Sequence, residues 1–352
     1  MKTLSKHSIL ISLMILFALV VSACAPAQVA ATEEAAEEAA EVAEEVAKET
    51  YKVVIAPKLI GIAYYSSCFD GMEEAANELG NIEWEVQGPT EANAEKQIEM
   101  LDAIITTQPD AIILAANDPQ ALAPSMKRAM EAGIVVVTFD ADTLPEARDY
   151  FVNQATFEGI GQSLVEEVVT QKGESAKFAI ISSTPDAPNQ NAWIEEMKKY
   201  MASDYPNLEL LTIQYGEDNV ALSKQKADDI LRAYPEVEAI VEPSDGGCPG
   251  LAQSIEANGK TGVVAGICLA TPKGMREYVK KGVVPAVILW NTVDLGYLSM
   301  YVTEAMLTGK LKHGDKTVSA GRLGTYDISD TNEIVLGPGF RFDKDNIDQF
   351  DF

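Results

Sequence analysis

The chain has 352 residues, near half of them apolar, with 54 acidic against 27 basic side chains and a formal charge of −27. That length exceeds one ordinary core and sets two domains as the expectation for a soluble α/β-sized chain. The acidic excess argues against nucleic acid, whose affinity rests on cationic neutralisation of phosphate, and against anionic lipid surfaces.

At the start, Lys2 and Lys6 precede an apolar run from Ile9 to Val21, followed by VSAC, Val21 to Cys24. A basic start, a short apolar stretch and small residues before a cut describe an export signal, residues 1–23, and 13 apolar residues are short for a membrane span. VSAC also resembles the bacterial lipobox, which implies lipidation of Cys24 and a protein held on the outer face of the cytoplasmic membrane, in the periplasm or at the cell surface, through that anchor alone. Losing residues 1–23 removes two lysines and no acid, taking the charge from −27 to −29. Residues 24–50 then form a linker whose ATEEAAEEAAEVAEEVAKET segment has eight Glu, one Lys and almost no apolar stripe to bury, so that a solvated spacer is expected over a helix with an acidic face.

From Tyr51 onward strand-like and helix-like stretches alternate. YKVVIAP precedes a helical FDGMEEAANELG, then come IEWEVQG and a helix near 94–107 with Ile98, Leu101 and Ile105 on one face. DAIILAAND, the helix PQALAPSMKRAMEAG and IVVVTFDAD follow. The alternation resumes with FAIISS, a helix near 190–201, LELLTIQYG, a helix near 221–233, EAIVEP, a helix near 251–258, VVAGIC and a helix near 273–281. Such alternation implies doubly wound parallel sheets with helices on both faces.

An internal repeat sharpens this. At an offset of 128, Lys96-Gln97 falls on Lys224-Gln225, Ala111-Ile112 on Ala239-Ile240, Asn117 on Asp245, and VVVTFDADT on VVAGICLAT, so that Asp140 coincides with Cys268. Two similar α/β domains are the expectation. Ligands of open parallel sheets sit outside the carboxyl ends of the strands, and Asn117, Asp140, Asp245 and Cys268 all follow apolar strands. Asp140 and Asp142 can equally cap or turn the chain.

Catalytic patterns are sparse. Beyond the signal only His313 could serve a Ser-His or Cys-His pair, and it sits in the polar stretch GKLKHGDK. NGKTG (258–262) lacks the phosphate-loop glycine, having Ser254 there, and DKDNIDQFDF has Ile347 at the fifth place, where a calcium loop needs a ligand, and no glycine at the sixth, which leaves a solvated tail. No enzyme, metal or cofactor is expected. What remains suits a small uncharged polyhydroxyl ligand, whose hydroxyls need carboxylate and amide partners and whose apolar face needs aromatic cover. Lys58, Tyr64 and Tyr65 follow the first strand, Asn189, Gln190, Asn191 and Trp193 follow FAIISS, and Trp290 and Asn291 follow VVPAVIL. For the tyrosines and Trp193, core packing is an equal alternative.

PKLIG, QGPTEAN, ANDPQALAPSMKRAM, NQNAWIEEMKK, LWNTVDLGY, AGRLG and LGPGFRFDKDNIDQFDF together resemble the type I periplasmic binding proteins of bacterial ABC importers, in the branch holding rhamnose-binding and autoinducer-2-binding proteins. The last four motifs resemble the rhamnose side, and PKLIG with FDADT the autoinducer-2 side. The resemblance spans roughly residues 52–352. It implies two lobes joined by a three-strand hinge, closing on a sugar that a monomer delivers to a permease and ATPase, or presents to a signalling partner. The autoinducer-2 pattern places ligand contacts at Lys58, Asp140, Gln190 and Pro243. That pattern expects aspartate at Asn189 and a small apolar residue at Asp245, NQNAW agreeing instead with the rhamnose branch, while Cys68, Cys248 and Cys268 fit neither pattern. The expected lobes are 51–154 with 290–320, and 155–289 with 321–352, the chain crossing near 153–156, 289–291 and Ala320. Cys248 and Cys268 follow neighbouring strands, so a disulfide between them is expected, two buried thiols being the alternative.

Overall fold

The computed structural model describes residues 50–352. The export signal, Cys24 and nearly all of the acidic linker lie outside the described residues. Among the described residues no helix is long and apolar enough to cross a membrane.

The first lobe is built from β1 (Tyr51–Ala56), α1 (Ala63–Leu79), β2 (Ile82–Val86), α2 (Ala94–Thr106), β3 (Ala111–Leu114), α3 (Pro119–Glu131), β4 (Val135–Phe139) and β5 (Tyr150–Asn153). The second repeats the plan with α4 (Phe157–Lys172), β6 (Lys177–Ser182), α5 (Pro188–Asp204), β7 (Glu209–Tyr215), α6 (Val220–Ala233), β8 (Ala239–Glu242), α7 (Cys248–Ala257), β9 (Ala265–Leu269), α8 (Pro272–Lys280) and β10 (Ala286–Leu289). Then come α9 (Thr292–Leu307), β11 (Thr317–Ser319), β12 (Thr325–Asp327), β13 (Glu333–Val335) and β14 (Phe340–Asp343). The two six-stranded sheets run β13-β5-β4-β3-β1-β2 and β14-β10-β9-β8-β6-β7. All neighbours are parallel except β10 and β14.

Strands such as AIIL and AVIL are unbroken apolar runs because both sheet faces are covered. Along β1, Val53 and Ile55 join one core while Val54 and Ala56 join the other. β3 divides in the same way, Ala111 and Ile113 against Ile112 and Leu114, as a period of two dictates. Helix α1 begins at Ala63, well before the expected FDGMEEAANELG, so Tyr64 and Tyr65 ride on its first turn.

The chain crosses between the sheets after β5 and again after β10. The third crossing does not lie at Ala320. Strand β13 pairs with β5 in the first sheet, Ile334 opposite Val152, and the next strand, β14, pairs with β10 in the second. Residues 336–339 therefore carry the crossing, and the stretch 321–335 belongs to the first lobe rather than the second. Arg322 fixes it there, donating to Glu74 of α1 (2.7 Å) and Asp294 of α9 (2.6 Å). The terminal segment is also not a solvated tail. Phe342 and Ile347 are buried, and Phe350 and Phe352 pack edge-on against Phe342.

The repeat holds its offset of 128 only through β3 and β8. Ala111 opposes Val135 in the first sheet, while Ala239 opposes Ala265 in the second, so β4 and β9 are related by 130. The counterpart of Asp140 is accordingly Ala270, not Cys268. Cys268 lies inside β9 and forms a disulfide with Cys248, Cα to Cα 5.9 Å, while Cys68 is a free, buried thiol.

Helices α1 and α9 cross with their backbones in contact. A Cβ at Gly71 would lie 1.8 Å from the carbonyl oxygen of Val293, and one at Gly296 would lie 1.8 Å from that of Cys68. Only hydrogen fits between them. Gly296→Ala should thus lower stability by about 1–3 kcal/mol, read as a fall of several degrees in Tm, and an unchanged Tm would show that the two helices can part without loss.

Candidate functional site

The carboxyl ends of both sheets open on one cavity. From the first lobe it is lined by Lys58, Leu59 and Ile62 after β1, by Tyr64 and Tyr65 on α1, and by Asp140 after β4. The second lobe contributes Asn189, Gln190 and Trp193 on α5, Asp218 after β7, Pro243 to Gly246 after β8, and Leu269 at the end of β9. Leu289 and Trp290 close it at the second crossing. The space is about 40 Å³, where one water needs about 10–15 Å³, which has room for a single small molecule and not for an oligomer.

Asp140 is the centre of the site. Its backbone is left-handed (φ 60°), a conformation that aspartate tolerates better than most side chains, and this turn aims the carboxylate into the gap. The Tyr64 hydroxyl donates to Oδ1 (3.0 Å) and the Tyr65 hydroxyl to Oδ2 (2.8 Å). From the opposite lobe the Asn189 amide donates to Oδ1 (3.2 Å). Burial pushes the Asp140 carboxyl above the usual carboxylate range, and the Lys58 charge and the two tyrosine hydroxyls oppose that rise. Burial, together with the nearby carboxylate, pushes both tyrosines well up, so both stand protonated as donors. Trp290 extends the chain, its Nε1 donating to the Tyr64 hydroxyl (3.1 Å). Tyr64, Trp290 and Trp193 form an aromatic wall, with ring centres 6.0 and 5.9 Å apart.

Asp218 faces this group across the gap. Its Oδ2 lies 3.8 Å from the Lys58 ammonium, with both side chains buried, and it accepts from Ser183 (2.7 Å) and from Ser244. Asp245 accepts at Oδ1 from the Thr271 amide (2.7 Å) and hydroxyl (2.9 Å), and at Oδ2 from the Tyr64 amide of the other lobe (3.1 Å). Burial pushes its carboxyl up, with the Thr271 and Tyr64 donors opposing. Gln190 spends its Oε1 on the Ser182 hydroxyl (2.7 Å) and the Ser183 amide (2.5 Å). The Trp193 Nε1 is buried and without a partner among the described residues. A ligand here would thus meet donors from Lys58, Gln190 and Trp193, and acceptors from the aspartates.

Ten of the fifteen candidate residues line the cavity: Lys58, Tyr64, Tyr65, Asp140, Asn189, Gln190, Trp193, Pro243, Asp245 and Trp290. Five do not, Asn191 among them, its amide donating to the Pro185 carbonyl (2.7 Å). Asn117 is buried beneath it, donating to the Lys58 carbonyl (2.8 Å) and to Gln97 (2.9 Å), and so holds the Lys58 loop in place. Asp142 turns away, accepting from Thr138 (2.5 Å) and from the Arg148 Nε at both oxygens (2.8 and 3.0 Å). Asn291 caps α9, accepting from the Val293 and Asp294 amides (3.0 and 3.2 Å). Cys268 is in its disulfide. Asp218 was not among the candidates. Asp218 follows the strand LELLTIQYG as Asp140 follows VVVTF, so the same strand-end signal could have found it. The sequence leaves Trp193 open between core and site.

With this geometry in view, residues 53–311 match the family model described as periplasmic binding protein domain, and the chain belongs to that family. A solute-binding protein of Clostridium phytofermentas, solved with bound L-rhamnose, is 30% identical over 86% of this chain and 98% of its own, with a TM-score of 0.82. LsrB from Clostridium saccharobutylicum, solved with AI-2, is 26% identical over 86% of this chain and all of its own, with a TM-score of 0.81. The D-ribose/D-allose-binding protein of Pseudomonas aeruginosa is 24% identical over 54% of this chain, and the match spans 61% of that protein's length.

Directly beneath the cavity-lining turn after β8, Glu242 is fully buried. A Cβ on Gly247 would meet its carboxyl at 1.7 Å, so that glycine is the lid over it. Burial pushes the Glu242 carboxyl up to about 8, against the opposing Ser223 hydroxyl. The group is therefore protonated in the folded protein at neutral pH and ionised in the unfolded chain. Its contribution to stability is fully present below the unfolded value of about 4.5 and is lost as pH rises toward about 8. Stability should fall over that window by about 1.4 kcal/mol per pH unit from this group, and the melting temperature with it. Glu242→Gln should remove much of the slope. A variant with the wild-type slope would show that the carboxyl stays ionised when folded.

Proposed function

We propose that this chain is the extracytoplasmic substrate-binding component of an ABC importer, capturing a small neutral sugar of the rhamnose type, or a related polyol, between its lobes and handing it to a permease driven by an ATPase. The observation that carries this reading is the cavity between the two strand-end rims, where Asp140, Asp218 and Asp245 stand with Lys58, Gln190 and Trp193 beside an aromatic wall. A polyol needs both donors and acceptors once it loses water, and this surface offers both. The wall suits the apolar face of a ring or a deoxysugar methyl. Three carboxylates against one ammonium disfavour an anionic sugar. The L-rhamnose complex of the Clostridium phytofermentas protein supports the choice of sugar.

Capture follows from population shift. A ligand bridging both rims favours the closed arrangement only through contacts made to both lobes. Nothing in this process requires a group that makes or breaks a bond, so we read the protein as a carrier without catalytic residues and without cofactor, working as a monomer and tethered through Cys24.

A second reading, an AI-2 receptor for uptake or signalling, is favoured by the likeness to the LsrB complex and by Lys58, Asp140, Gln190 and Pro243, all of which line the cavity. A neighbouring permease gene would favour transport, and a neighbouring sensor kinase signalling.

A thermal-shift screen of L-rhamnose, other monosaccharides, polyols and AI-2 tests both. At one hundred times Kd a ligand of the folded form adds about 2.7 kcal/mol, or about 5 °C in Tm for a chain of this size. L-rhamnose should give such a shift, and Asp140→Ala should lose it while still melting cooperatively. A shift with AI-2 and none with any sugar would replace the first reading by the second, and a variant that keeps its sugar would remove Asp140 from the site.

A further inference from the structure

Every helix leaves its first amides without intrahelical partners. Among the nine described α-helices, four begin with a side-chain cap and no proline in the first positions: α2 with Asn93, α4 with Thr156, α6 with Asn219 and α9 with Asn291. Helix α3 has both Asp118 as cap and a proline, and α5, α7 and α8 have a proline in their first positions. Helix α1 has neither, its cap position being Ile62. The carboxylate that meets its first turn comes from the other lobe, where Asp245 Oδ2 accepts from the Tyr64 amide (3.1 Å).

We propose that Asp245 is a closing latch, a positioning residue that caps α1 across the cleft and thereby sets how readily the two lobes shut, with or without a ligand.

Three observations carry this. First, the carboxylate is pre-aimed within its own lobe. Oδ1 is held by the Thr271 amide and hydroxyl (2.7 and 2.9 Å), and the turn that bears it leads directly into Cys248, pinned to β9 by the disulfide. Second, the acceptor is matched to its target, since a carboxylate at a helix N-terminus satisfies an orphan donor and meets the positive end of the helix dipole. Third, the docked turn is the one that carries Tyr64 and Tyr65, whose hydroxyls hold Asp140. Seating the latch therefore also seats the central carboxylate's two donors. The contact is made by protein atoms on both sides, so it opposes opening on its own account.

The inference rests on the reading that the lobes close on a small sugar, but its first test needs none. Fluorophores on non-natural residues at exposed positions 91 and 225, beyond the edge strands β2 and β7, report lobe separation by single-molecule energy transfer. The sugar-free wild type should show a closed population. Asp245→Ala should reduce it at least fivefold, Asp245→Asn, which keeps an acceptor, should retain part of it, and Thr271→Val should reduce it less than the alanine variant. Since apparent affinity scales with the competent fraction, Kd for L-rhamnose should rise about fivefold or more in Asp245→Ala. Identical distance distributions in wild type and Asp245→Ala overturn the proposal, as does a wild type with no closed population. Weaker sugar binding with an unchanged distribution also overturns it, since Asp245 would then be a ligand contact alone. If the wild type binds no sugar, the functional reading fails and the distance distributions still decide the latch. Should the alanine variant not fold, the asparagine and valine variants carry the same comparison.

Discussion

A carboxylate cannot sit in a narrow gap closed off from water without donors, because desolvation of the charged form outweighs most of what packing returns. Asp140 stands in such a gap, and much of the molecule can be understood from how it is supplied. Two of its donors come from tyrosines on α1 and one from Asn189 on α5. Because α1 and α5 belong to different lobes, the demand of a single side chain for partners draws the two halves toward one another. The crossing strands alone would leave their relative position loose. The hydrogen bonds of one buried acid give closure a definite geometry.

The same logic recurs at the other aspartates. Asp218 borrows the ammonium of Lys58 from the opposite rim, and Asp245 borrows a backbone amide. Each lobe exposes acceptors that its own strand ends cannot fully satisfy, and each finds the remainder across the cleft or in a ligand. A polyol and the facing lobe therefore compete for the same class of partner. That competition explains why such a surface can be both sticky and reversible: charge-assisted hydrogen bonds are strong when desolvated and readily exchanged for water when the gap opens.

Much of this was legible in the sequence because parallel α/β units write themselves as apolar runs separated by amphipathic stretches, and Asp140, Lys58 and Gln190 fall where strand ends must. What was not legible has local causes. The repeat gave Cys268 as the partner of Asp140, since a two-residue change between β8 and β9 leaves few identities to betray it. The apolar GICL reads as a strand whichever register is chosen. Strand β13 is only EIV, too short to carry a period, so the sequence alone does not show that the third crossing waits until after it, although Arg322 reaching Glu74 holds that stretch to the first lobe. Asn117, Asp142 and Asn291 share the strand-end signal with true cavity residues. Only the partners they find, Gln97, Arg148 and the first amides of α9, turn them from the cleft. Sequence fixes where a polar side chain stands along a strand but not which of its neighbours reaches it first.

The position of α1 brings these threads together. Its first turn must approach the second lobe closely to present Tyr64 and Tyr65, and its body must approach α9 closely enough that Gly71 and Gly296 meet backbone with no side chain between. A helix clamped along its length against α9 cannot yield at its N-terminus without moving the whole first lobe. Force applied there by a carboxylate from across the cleft is therefore transmitted as a rigid-body displacement and not absorbed locally. The rigid packing far from the cavity is thus what allows a small polar contact at its edge to act on the separation of two lobes.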